Sequence, residues 1–144
     1  MFIVNVEGAI RKNDKWLIIK RSAKEEHAGG LLSLVGGKVD AEGNSSDILE
    51  RTVKREILEE VGVNIRDGLN YVHSTSFVTD SSVNVVDIVF LCEYESGEAF
   101  PKSPDEVEEV LWLTTGEILN HSKAPIYLKE SIKRANLIFQ THSL

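Results

Sequence analysis

Val53, Ile57 and Val61 recur four residues apart, and Gly62 follows at once. This spacing predicts an amphipathic helix over residues 47–61, with Gly62 in the left-handed position that closes a helix. On either side the period changes. "FIVNVEGAI" and "KWLIIKRS" read as two strands joined at "RKND", whose Asn-Asp suits a hairpin turn, and "LLSLVGGKV" as a short strand running into Gly-Gly. A helix with one apolar stripe, set among strands, must bury that stripe against a sheet. The expected class is therefore α/β or α+β, a sandwich of helices and strands.

The remaining punctuation agrees. "NYVHSTSFV" and "VNVVDIVFLCEYE" flank "TDSS" as a second hairpin. "SGEAFPKSPDEVEE" reads as an acidic, Pro-containing loop before the strand "VLWL". Thr114 and Glu117 stand at capping-box spacing ahead of a short helix. Pro125 is placed to open a last helix reaching about Ala135, with Leu128 and Ile132 four apart. No repeat or linker divides the 144 residues, so one domain, 1–144, is expected.

A net charge of −7, with no run of Lys or Arg longer than two, argues against broad binding to nucleic acid or an anionic membrane. No segment approaches the length of a membrane span, and "MFIVNVEGAI" lacks a basic leader, so a cytoplasmic protein is expected. The lone Cys92, in "DIVFLCEYE", rules out an intrachain disulfide and reads as a buried thiol.

The helix carries an electrostatic problem. In "REILEEVGV", Glu56, Glu59 and Glu60 project into one sector of the cylinder, close to the negative end of the helix dipole. An acidic solvated face, with Arg55 pairing Glu59 at i, i+4, is the ordinary explanation. Two neighbours point elsewhere. The Gly-Gly of "VGGKV" lets the backbone turn sharply and present a carbonyl toward the helix. Asp105, Glu106, Glu108 and Glu109 form a second acidic group. Carboxylates and a backbone carbonyl are hard oxygen donors suited to Mg²⁺ or Mn²⁺, which can bridge to phosphate oxygens and activate water.

"REILEEVGV" resembles, at every specified position, the second half of the Nudix box: Arg-Glu, an aliphatic, any residue, Glu-Glu, any residue, Gly, an aliphatic. "LLSLVGGKVD" is similar to the lead-in strand and Gly-Gly of the box, and "DEVEEVLWL" to the acidic loop and Trp-bearing strand of that family. The resemblance implies an α/β/α sandwich with a mixed central sheet. It also implies a Mg²⁺- or Mn²⁺-dependent pyrophosphohydrolase acting on a small nucleotide, either a nucleoside triphosphate or another nucleoside diphosphate linked to a second group, as a monomer or homodimer. A Nudix-fold module that binds nucleotide without hydrolysis is the alternative.

Carried over by position, Glu56 and Glu60 resemble the principal metal ligands, Glu59 a further one and the Gly36 carbonyl the backbone ligand. Arg55 would orient a box carboxylate. The general base would be Glu56 or an acid of the later loop, Glu106 or Glu109. Lys20, Arg21, Gly37 and Lys38 are candidate phosphate contacts; Phe77, Phe90 and Trp112 are candidate stacking surfaces for a base, although aromatic residues in strands are more often core. His27 sits in a loop on the expected substrate side. The first half of the box departs from the pattern: nine residues separate Gly37 from Asp47, which stands where a Glu is usual. Asp47 is either a ligand-orienting carboxylate or an N-cap, since Glu50 completes a capping-box spacing. Glu42 is a weaker substitute.

Overall fold

The computed structural model of the protein describes residues 1–25 and 27–142, with His142 described through its backbone alone. Eight strands and three helices follow in the order β1 (Phe2–Lys12), β2 (Lys15–Arg21), β3 (Leu32–Ser33), β4 (Val35–Lys38), α1 (Ile48–Val61), β5 (Asn64–Ile65), β6 (Asn70–Val78), β7 (Asn84–Ser96), β8 (Val107–Thr114), α2 (Thr115–Leu119) and α3 (Ile126–His142). Both expected hairpins form. Asn13 takes a left-handed φ of 57° in the β1–β2 turn, a conformation that Asn tolerates through its short polar side chain.

The sheet is mixed. β3, β2, β1, β7 and β5 lie in that order, with β4 also on β1, β6 on β7 and β8 on β2. β1 and β7 run parallel along their shared length, from Phe2 opposite Asn84 to Arg11 opposite Glu93, while the other pairs are antiparallel. Strand alternation then makes two cores. Val6, Ile10, Leu17, Ile19, Phe90 and Cys92 face Val53, Ile57 and Val61 of α1. Ala9, Trp16, Ile18, Val89 and Leu91 face Ile118 of α2 and Leu128, Ile132 and Ala135 of α3. The result is the expected α/β/α sandwich with a mixed central sheet.

Several boundaries move. "LLSLVGGKV" divides into two short strands, β3 and β4, and β5 was not legible in the sequence. β8 begins at Val107, so Glu108 and Glu109 lie in a strand rather than in the acidic loop. α3 runs two turns past Ala135. Gly62 closes α1 as expected, with φ 72° and its N–H donating to the Leu58 carbonyl at 3.1 Å. No helix among the described residues is long and apolar enough to cross a membrane.

Candidate active site

Burying Ile57 and Val61 of α1 in the core leaves Glu56 and Glu60 on the adjacent flank, facing β4 and the loop after β7. Glu60 is only 6% exposed, and Glu59 lies on the open side of the helix. The Gly-Gly does not make a turn. Gly36 and Gly37 lie within β4, and neither has a positive φ. They permit close approach instead: a Cβ on Gly36 would lie 2.7 Å from Glu7 Cα, and one on Gly37 would sit 2.6 Å from Glu56 Oε2. Any side chain at 37 would therefore displace the Glu56 carboxyl group.

The loop between β7 and β8 brings Asp105 and Glu106 of the second acidic group. It is tied to the end of α1, where Phe100 N–H donates to the Val61 carbonyl at 3.1 Å and Lys102 N–H to the Glu60 carbonyl at 3.0 Å. It is also tied to the end of β2, where Ser22 N–H donates to the Glu106 carbonyl at 2.9 Å. These bonds set Glu106 within electrostatic reach of Glu60 and Glu56. Burial first, then the charges of Glu106 and Glu56, push the Glu60 carboxyl up to about 9. Burial also raises Glu56, and the two carboxyl groups share a hydrogen bond, which requires a proton on one of them.

Arg55 lies against Glu56 and Asp40 rather than Glu59. Its Nη2 stands 3.6 Å from Glu56 Oε1 and its Nη1 3.7 Å from Asp40 Oδ2. The Nη2 atom is sealed from solvent without a hydrogen-bond acceptor. Its ion-pair partner Glu56 is thus one short movement from a charge-assisted hydrogen bond.

The other candidates divide. Arg21 lies near enough to Glu60 to oppose its raised proton affinity, and its Nε donates to the His27 carbonyl at 3.1 Å. Lys38 ends β4, exposed, beside the box. Lys20 is engaged by Glu108 at 2.9 Å, and Glu109 stands opposite it in the β2–β8 register. Phe77 is 37% exposed and stacks on His27, with ring centroids 5.6 Å apart and planes within 8°. Phe90 is core and Trp112 half-buried. His121 accepts from Lys123 N–H through Nδ1 at 3.0 Å, and the His142 side chain lies outside the described residues.

Asp47 does not cap. It occupies the N-cap position of α1 at φ 55°, outside the extended conformation usual for a cap, and its side chain accepts no hydrogen bond from the first turn. Glu42 is held by Arg51, in the first turn of α1, at 2.6 Å.

Sequence reasoning missed Glu7 and Asp87. They lie on the sheet face turned toward α3, and their carboxyl groups share a hydrogen bond; burial first, then contact with Asp87, holds Glu7 well above the usual carboxylate range, while burial raises Asp87 against the lowering effect of the same bond. Tyr127 and Arg21 are close enough to feel them, and His73 Nε2 meets Ser131 Oγ at 2.9 Å on the same side. The available signal was an acid breaking each apolar run, "VNVEGAI" and "VVDIVFL".

Among the described residues, no three acidic, His or Cys side chains stand close enough to hold a metal ion by themselves. Two converging carboxylates are nevertheless adequate for Mg²⁺, which is usually bound by one or two carboxylates and completes its shell with water and substrate phosphate. The donor chemistry therefore fits: two hydrogen-bonded carboxyl groups with a third acid near, repelling one another when ionised.

The sequence profile of the NUDIX domain matches residues 1–134. The chain belongs to the Nudix family. Among curated proteins it is similar to the NAD-capped RNA hydrolase NudC of Escherichia coli, 31% identical over 104 residues, which are 72% of this chain and 36% of that protein. The chain thus spans little more than a third of the length of the curated relatives it matches. Among solved structures, a MutT NUDIX hydrolase from Burkholderia pseudomallei shares 25% identity at a TM-score of 0.78, covering 93% of this chain and 98% of the other. A MutT protein from Methanosarcina mazei Go1 shares 25% identity at 0.79, covering 95% and 94%. The Nudix sandwich therefore extends across nearly all of both neighbours.

Proposed function

We infer that this chain hydrolyses a pyrophosphate bond in a nucleoside triphosphate, or in another nucleoside diphosphate linked to a second group, with a divalent cation. The observation that carries this reading is the buried Glu60, which shares a proton with Glu56 and faces Glu106. Such a group is costly to keep unless a cation replaces the proton. Glu56, Glu60 and the Gly36 carbonyl, with Glu59 at the open flank, would hold Mg²⁺ or Mn²⁺. When bound, the ion supplies charge neutralisation at phosphate oxygens and lowers the pKa of water.

The chain's own residues do the rest. Glu106, at the lip of the site and next to the carboxyl pair, is better placed than Glu109 to take the proton of an attacking water, because Glu109 is in β8 beside Lys20. Arg55 fixes the Glu56 carboxylate. Arg21 and Lys38 are positioned for phosphate oxygens, whereas Lys20 must first leave Glu108. The stacked Phe77 and His27 rings offer an exposed aromatic surface for a base.

The test is chromatographic detection of the product nucleotides, phosphate and pyrophosphate over a panel of nucleoside triphosphates, NAD, ADP-ribose and dinucleoside polyphosphates, with and without Mg²⁺. Mg²⁺-dependent cleavage of at least one is the expected result. Nucleotide binding with no cleavage anywhere on the panel would favour the non-hydrolytic module instead.

A further inference from the structure

At one side of the sheet, β6 has β7 as its strand partner and no strand along its other edge among the described residues. That edge presents alternating backbone N–H and C=O groups, a template for another strand. Proteins normally blunt such edges with charges, prolines or bulges. Between Asn70 and Val78 there is no charged residue and no proline, in a chain with 16 basic and 23 acidic residues. A single irregularity separates Tyr71 from His73, and the run from His73 to Val78 is regular. Residues 74–78 are exposed along this run.

A second observation lies beside it. Phe2, Asn84 and Val78 form one row across β1, β7 and β6, followed by Val4, Val86 and Ser76. This is the face that carries Val6 toward α1, yet Phe2 is 55% and Val78 64% exposed, beyond the helix's cover. An uncharged edge therefore adjoins a strip in which two exposed apolar side chains, Phe2 and Val78, flank Asn84.

Charge identifies the occupant. A nucleic acid would find no cation on this run, and a charged peptide no counter-charge. A second copy finds its own complement: under a two-fold axis, antiparallel pairing sets each edge donor against an acceptor of the copy. Two chains of net charge −7 repel over most of their surfaces, and this neutral edge is where they can approach. We propose that two copies of this chain associate by antiparallel pairing of β6 with β6, centred near Thr75 and Ser76 and covering the exposed Val78 side chains, so that one sheet runs through both.

Sedimentation of the full chain from about 1 to 100 µM tests this, with amide exchange followed along 73–78. The expected result is a species of twice the chain mass, whose 73–78 amides gain protection as concentration rises. Ser76→Lys places like charges near the two-fold axis and should weaken association roughly tenfold or more, since like charges across paired strands are unfavourable. Val78→Lys tests the strip without touching the backbone, and circular dichroism checks that both variants fold. A single-chain mass throughout the range, assemblies larger than two, or a dimer indifferent to both substitutions would overturn the proposal.

Discussion

Held among Glu56 and Glu106, Glu60 keeps its proton up to about pH 9, and this fixes the sign of its linkage to folding. An unfolded glutamate releases its proton near 4.3. Between about 4.3 and about 9 the native chain holds a proton that the unfolded chain has lost, so stability falls as pH rises through that window. Without cation, Glu60→Gln should therefore melt higher than wild type at pH 8, by ~4 °C for each kcal/mol relieved in a domain of this size. The same change should lower turnover by ~10²-fold or more, as should Glu56→Gln. A Glu60→Gln protein that is both less stable and fully active would defeat the assignment. Asp47 carries a different expectation. Because its φ is 55° and its side chain caps nothing, Asp47→Gly should be neutral or stabilise by up to ~1 kcal/mol in chemical denaturation, whereas a true cap would lose stability.

At the scale of elements, the short helix α2 depends on its first turn. Thr114 Oγ1 accepts from Glu117 N–H at 3.2 Å, and Glu117 Oε1 accepts from Thr114 N–H at 2.9 Å, closing a reciprocal box. Trp16 Nε1 donates to Thr115 Oγ1 at 2.9 Å, which fixes the helix to β2. Five residues are too few for a helix to stand without such support. Thr114→Ala should therefore cost ~1 kcal/mol, within the usual ~0.5–2 kcal/mol for a lost N-cap, read as a lower denaturation midpoint at an unchanged slope. The capping box was legible because its two members are three residues apart. β5 was not, since two residues carry no period and its pairing with β7 is a contact across the chain.

For the whole molecule, cation binding should be coupled to protons and to stability. A divalent ion taken up by Glu56 and Glu60 must displace the proton that they share, so binding should release protons below pH 9 and tighten as pH rises toward that value. Calorimetric titration with Mg²⁺ in buffers of different ionisation enthalpy measures the release, and the melting temperature should rise with Mg²⁺ by mass action. No proton release, and a melting curve unmoved at millimolar Mg²⁺, would leave the acidic flank as surface. The two apolar layers also predict where stability resides. Leu128→Ala, emptying a fully packed position between α3 and the sheet, should cost ~2–5 kcal/mol, far more than any exposed change on β6.

What the sequence alone determined was whatever a few neighbouring residues encode. The helix came from the Val53, Ile57 and Val61 period, its end from Gly62, the hairpins from alternation and turn residues, and the box glutamates from "REILEEVGV". Tertiary structure decided everything that depends on groups distant along the chain. It put Glu106 rather than Glu109 beside Glu60, bound Lys20 to Glu108, turned Arg55 to Asp40 and Glu56, and used Gly37 to clear space for a carboxyl group instead of making a turn. It also joined Glu7 to Asp87 across two parallel strands. Periodicity and capping are local, while burial, ion-pair choice and proton affinity sum over the neighbours that folding supplies.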